Sequence, residues 1–262
     1  MREIENLKKA ILEEYPRLTE NDTFQFHCKP GVSCFNDCCG DVNIFLTPYD
    51  ILRLKNRLNL TSGEFLARYT ITPIDQNQNY PVILLKMRDD EKKSCFFVTS
   101  QGCSVYSDRP WACRYYPLGL ASPKEGDAEI LEDFYFILHE EVCKGFDEKK
   151  SWSVREWKID QEVEKYDEFG GLFKELTLHD FFKRGRQLDP PRMELFHMGC
   201  YNLDKFKTFI TESSFFDRFE VAPEWKEKIL RDDEELLRFA FHWLKFALFG
   251  EKTMKIRPSA FK

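Results

Sequence analysis

Nine cysteines are the residues of this chain whose type and spacing point most directly to chemistry. Cys28, Cys34, Cys38 and Cys39 fall in the run HCKPGVSCFNDCCG at residues 27–40, spaced C-x5-C-x3-C-C. Cys95, Cys103 and Cys113 follow in CFFVTSQGCSVYSDRPWAC, spaced C-x7-C-x9-C, and Cys143 in HEEVCKG. A buried thiolate is costly unless a cation pairs with it. Zinc or an iron–sulfur cluster supplies that charge and pins loops that have little core of their own. No one group of cysteines closes two sites alone, but the eight together suffice for two four-coordinate centres. A thioredoxin-type dithiol needs C-x-x-C, a spacing this chain lacks. Cys200, alone in ELFHMGCYNL, reads as a small buried apolar residue.

Adjacent Cys38 and Cys39 diverge on any regular backbone, to opposite faces of a strand or by about 100° around a helix. They face two different centres, or one is a ligand and the other supports it, with a tight turn that brings both onto one centre as the less favoured arrangement. Gly31 and Gly40 flank them and permit unusual backbone. His27 and His139, beside Cys28 and Cys143, are alternative ligands for a Cys3His site or satisfied histidines. His179, His197 and His242 carry no ligand spacing. In SDRPWACRYYP, Pro110 suits the first turn of a short helix capped by Asp108 or Ser107, which would aim N–H groups at thiolate sulfurs. Arg109 and Arg114 are candidates for cationic support of thiolates or for ordinary ion pairs. Trp111, Tyr115 and Tyr116 are expected to exclude solvent.

Three readings follow. The first is an iron–sulfur protein, with a 4Fe–4S cluster favoured by the thiolate-rich ligand set and its aromatic surroundings, supporting redox or methyl-group transfer chemistry. The second is a structural zinc module, although only the Cys34-to-Cys38 gap falls in the usual zinc range of C-x(2–4)-C. The third is a metal chaperone with a labile site. The chain has no phosphate-binding Gly-rich loop, G-x-S-x-G elbow, H-E-x-x-H or dinucleotide fingerprint, and no C-x3-C-x2-C, so no residue is assigned a catalytic role.

The chain has 262 residues, 42% hydrophobic and 32% charged, an ordinary globular balance. A net charge of -6 and no basic stripe argue against nucleic acid, leaving a protein or small-molecule partner. No apolar run is long enough to span a membrane, and LLRFAFHWLKFALF at 236–249 is short and carries Arg238, His242 and Lys245. With no signal peptide, the expected location is cytoplasmic, where structural disulfides are disfavoured.

The elements that must position the thiols are predicted as follows. Helices are expected at 3–14, from Pro48 to 58, from the Thr61 capping box onward, from the Ser153 capping box to 167, and over 172–184, 203–212 and 224–249. Strands are expected at 42–46, 82–87, 94–98 and 129–138. The fold class is α+β: a small cysteine-rich metal-binding core with a short sheet over residues 1–168, then a mostly helical C-terminal extension over 169–262. GRQLDPPR at 185–192 reads as a break.

The runs CFNDCCG, SCFFVTSQGCSVYSDRPWACRYYPLG and VCKG resemble the YkgJ-type cysteine-cluster family, described as zinc- or iron-chelating. The likeness covers roughly residues 25–165 and is specific, since G-C-x-V-Y-x-x-R-P-x-x-C-R-x-Y-P is a long pattern. The family commonly shows C-x-x-C-x-x-C-C, whereas this chain spaces its first cysteines more widely. The resemblance implies metal binding by Cys34, Cys38, Cys39, Cys95, Cys103, Cys113 and Cys143, with Cys28 in the place of the leading cysteine. One branch of the family resembles lysine N-methylases that modify flagellin through an iron–sulfur centre, which makes methyl transfer an analogy here.

Overall fold

Three capping boxes start the helices that frame the cysteine region. Thr47 and Asp50 exchange side-chain and backbone hydrogen bonds at the start of the Pro48–Arg57 helix, with Pro48 at its first position. Thr61 and Glu64 do the same for Ser62–Tyr69, and Ser153 and Glu156 for Val154–Asp160. The computed structural model describes residue 11 and residues 15–73, 79–122 and 132–261. The helix expected at 3–14 therefore lies outside the described residues except for Ile11, as does the start of the 129–138 strand.

The fold is α+β, with short two-stranded antiparallel sheets and many helices. Thr23–Gln25 pairs with Ser151–Ser153, Val98–Thr99 with Gly102–Cys103, and Leu118–Ala121 with Phe134–Ile137. Thr70–Ile71 pairs with Leu84–Leu85. The expected strands are shorter than their hydrophobic runs. VNIFL keeps a single bridge, Phe45 to Leu84, flanked by bonds from the Leu46 amide to Ile83 O and from the Leu85 amide to Ile44 O. Of 94–98, Ser94 and Cys95 form isolated bridges and Val98 begins a hairpin.

Several helices also differ in extent. The helix opened by Ser153 ends at Asp160, and a new one runs Glu164–Thr177, because Glu162 takes a left-handed conformation (φ 50°) between them. The stretch 224–249 is two helices, Pro223–Arg231 and Asp233–Phe249. Asp232 leaves helical geometry and accepts the amides of Glu234 and Glu235 as cap of the second. Leu203–Glu212 forms as expected. Pro190–Cys200, capped by Asp189, is a helix whose first turn lies within the expected break.

One large core joins Leu46, Tyr49, Leu54, Phe65 and Phe97 to Phe169, Phe206, Phe239 and Trp243. Tyr49 stacks on Phe169 at 4.4 Å and donates to Glu234 at 2.7 Å. Buried Lys55 reaches Asp233 at 3.0 Å and Asp204 at 3.2 Å. The Asp233–Phe249 helix, which contains the apolar run 236–249, is buried along most of its length. Cys200 is 1% exposed within this core, as expected for a packing residue. A second, smaller core consists of Phe24, Phe26, Tyr115, Leu118, Val154, Trp157 and Val163, with Cys143 packed against it, while Cys95 and Cys103 pack against the large core. Among the described residues, no helix is long and apolar enough to cross a membrane.

Candidate metal centre

The cysteine loops have little regular structure, and specific contacts hold them. Cys38 and Cys39 lie in the short 3-10 helix Asp37–Cys39, which begins after Asn36 in a left-handed conformation (φ 74°). The Asn36 amide side chain donates to Thr99 O at 3.0 Å, fastening this loop to the 98–103 hairpin. Gly40 bridges to Ser94, and a Cβ there would sit 2.6 Å from Lys92 O, so the close backbone approach requires glycine. Gly31 has φ +97° and needs glycine for its backbone alone.

Cys34, Cys28 and Cys143 are brought together from distant positions. The Lys144 amide donates to Cys34 Sγ at 3.0 Å, and the His27 amide donates to Gly145 O at 2.9 Å. Cys39, Cys95 and Cys103 are joined by backbone contacts. The Cys95 amide donates to Cys39 O at 2.7 Å, the Val98 amide to Cys95 O at 3.2 Å, and Val98 pairs with Cys103. Cys113 lies on the short helix Trp111–Tyr115. None of the nine cysteines is in a disulfide.

Burial makes the surroundings of Cys28, Cys95, Cys103 and Cys113 hostile to free thiolates. Burial pushes Cys28 up to about 11, helped by Cys38, Cys143 and Cys34 and opposed by Arg109. Burial likewise pushes Cys113 up to about 12, with Cys95, Asp50 and Cys103 adding to it and Arg109 opposing. Burial raises Cys95 and Cys103 as well, against backbone N–H groups that favour the thiolate. A hydrogen bond from the Cys39 thiol draws Cys38 down to about 7, and the same contact raises Cys39. Cys28, Cys38 and Cys113 are nevertheless exposed as residues.

The surrounding residues divide into supports and clamps. Arg109 is 7% exposed, lies over the Tyr106 ring at 3.7 Å, and donates to Tyr106 O and Gln161 Oε1. Its charge acts on Cys28, Cys103 and Cys113, so it supports the thiol cluster. Arg114 instead clamps backbone: it donates to Arg109 O at 3.2 Å, to Gln161 O at 2.6 Å and to Ser107 O, and lies over Tyr166. The expected cap from Asp108 or Ser107 does not form. Pro110 occupies the cap position without a side-chain bond, and Asp108 is engaged by Arg53 at 2.6 Å. The Trp111 amide is satisfied by Asp50 Oδ1 at 2.7 Å, from another helix. His139 stacks on Phe146 at 4.5 Å.

Sequence reasoning missed Asp50, Gln161 and the polar role open to Tyr116. Asp50 was legible as the third residue of a capping box, but its second acceptor role depends on a helix 61 positions away. The Tyr116 hydroxyl is buried, has no hydrogen-bond partner among the described residues, and lies beside Cys143 and Cys38. Burial and these cysteines raise its pKa, so it stays protonated and able to donate. A cleft of about 520 Å³ lined by Arg53, Asp108, Asp233 and Glu234 contains no cysteine.

Among the described residues, no three His, Cys, Asp or Glu side chains are gathered tightly enough to hold one metal ion. The donor set nevertheless fits a thiophilic metal or cluster in kind, and the unpaired Tyr116 hydroxyl fits a sulfur that carries charge. No curated protein and no solved structure matches the chain. Residues 27–144 match the CxxCxxCC family model, described as a putative zinc- or iron-chelating domain, and this span includes all eight clustered cysteines. The likeness is to this cysteine-bearing segment, which is less than half of the chain.

Proposed function

We propose that the chain is a thiolate metal-binding protein in which Cys28, Cys34, Cys38, Cys39, Cys95, Cys103, Cys113 and Cys143 hold iron–sulfur chemistry, with a 4Fe–4S cluster as the favoured form. One observation carries the reading: cysteines from separate stretches of chain are linked by Lys144 N–Cys34 Sγ, Cys95 N–Cys39 O and the Val98–Cys103 pair, with Cys95 and Cys103 packed on the large core and Cys143 on the smaller one. A cluster bound there would supply electron transfer or redox-supported group transfer, including methyl transfer. This chain's own residues would bind it, with Arg109 offsetting negative charge and Tyr116 donating to a thiolate sulfur. Metal content and acid-labile sulfide on protein purified without oxygen, beside its visible spectrum, test the reading. Iron with matching sulfide supports it, and zinc without sulfide overturns the cluster.

The exposure of Cys28, Cys38 and Cys113 favours a second reading, a zinc-binding module or metal chaperone without catalysis. Solvent-reachable ligands permit exchange, so transfer of zinc to a metal-free acceptor distinguishes the chaperone from a closed structural site. The expected cytoplasmic location accords with nine unpaired thiols.

A further inference from the structure

Backbone strain collects along one seam of the cysteine region. Among the described residues, five other than glycine take left-handed backbone, and three of them, Asn36, Asp41 and Lys93, lie where the loop 33–41 meets the segment 93–103. Asparagine and aspartate tolerate that conformation, whereas lysine adopts it only at a cost. The contact between the two segments is thin. The Asn36 side-chain amide donates to Thr99 O at 3.0 Å, the Cys95 amide to Cys39 O at 2.7 Å and the Asp41 amide to Lys93 O at 3.1 Å, with Gly40 bridged to Ser94 between them. Lys93 Nζ reaches Asp41 Oδ1 at 2.8 Å, but these side chains are 63% and 73% exposed, so the pair adds little. Lys92 and Asp37, 4.0 Å apart, are also exposed. None of residues 33–41 is buried, whereas Val32 before the loop and Leu46 after it are.

We propose that the loop 33–41 is a strap that opens from the segment 93–103 while its ends stay anchored at Val32 and Leu46, and that its opening controls access to the thiols of Cys39 and Cys95. A strained backbone persists only where its surroundings over-determine it. Here the surroundings are a few hydrogen bonds and exposed ion pairs, so the closed strap lies only slightly below the open one. The neighbouring ladder is different, because the Leu46 amide bonds Ile83 O and the Leu85 amide bonds Ile44 O over the large core. That the strap admits metal rests on the thiolate reading above, but that it opens does not.

The test uses the full chain stripped of metal by a chelator. Amide-exchange protection at Asp41 and Cys95 should be at least about 10-fold lower than at Leu46 and Leu85, and equal protection at all four overturns the strap. Lys93→Gly and Lys93→Ala both delete the ion pair, but only glycine relieves the left-handed strain. Iodoacetamide should therefore alkylate Cys39 and Cys95 about 5-fold faster in the alanine variant, and equal alkylation overturns strain as the source of opening. Zn2+ uptake should follow the same order with the same equivalents bound, and equal uptake rates overturn the strap as a gate for metal. A parent chain that retains no zinc overturns the thiolate reading and leaves exchange and alkylation to decide the strap. Should the variants fail to fold, the exchange comparison on the parent chain decides alone.

Discussion

Tyr116 concentrates the chemistry of the site in one atom. A buried hydroxyl without a partner costs about 1–3 kcal/mol, and the retained cost is explained if a charged Cys143 sulfur accepts from it. Tyr116→Phe should therefore leave the metal-stripped chain no less stable in urea, yet weaken metal retention about 10-fold in a chelator competition. Equal loss of stability with and without metal would mean the hydroxyl is only packing. The proposed ligand cysteines should separate from the packing cysteine in the same way. Cys38→Ser and Cys113→Ser should lower metal content together with solubility. Cys200→Ser should leave metal content unchanged while costing about 1–3 kcal/mol in a urea melt, because its hydroxyl would enter an apolar core. Unchanged metal in both former variants would defeat the ligand assignment.

At the scale of elements, one carboxylate joins two helices. Asp50 is fully buried, closes the capping box with Thr47 and accepts the Trp111 amide that begins the Cys113 helix. Asp50→Ala should cost about 1–3 kcal/mol by denaturant midpoint, since it strands buried donors at both places. Asp204 binds the Ser62 amide and hydroxyl and pairs with Lys55. Burial works against its carboxylate, but the Ser62 and Lys55 contacts more than offset it and hold its pKa below the ordinary value of 3.8. Its contribution is therefore present above that unfolded value and lost as pH falls through the lower folded one. Urea midpoints measured from pH 5 downward should fall more steeply for the parent than for Asp204→Asn, and parallel curves would remove Asp204 from the account. The helix starts were legible because capping boxes at Thr47, Thr61 and Ser153 are local bonds written in four residues. The strands were less legible. Leu84–Leu85 and Val98–Thr99 are two residues long, and their extent depends on which distant segment supplies a partner.

On the scale of the whole molecule, the large core and the cysteine loops differ in what sustains them. The core runs from Leu46 through Met254 and is filled by Phe, Tyr, Trp and Leu side chains. The loops at 27–41 and 138–150 have only short turns and isolated contacts. Chelation of the metal should therefore release amide hydrogen-exchange protection at 27–45, 95–122 and 132–145, while the Asp233–Phe249 helix keeps its protection. Cooperative loss of protection in both regions would instead make metal loading a condition for the entire fold.

The sequence by itself determined the donor chemistry, because thiols clustered among turn residues in a chain this long have few uses besides metal binding. It also determined most helix starts, Cys200 as a core residue, and the family pattern around Cys103 and Cys113. Only the tertiary structure decided which cysteines are neighbours, since Cys34 meets Lys144 across 110 positions. It likewise decided that Arg109 supports the thiols while Arg114 clamps the backbone, and that Asp50 rather than Asp108 satisfies the Trp111 amide. The physical reason is range: a cap or a hydrophobic stripe is set by residues within one turn, whereas thiol proximity and buried charge depend on chain segments brought together only by the packed core.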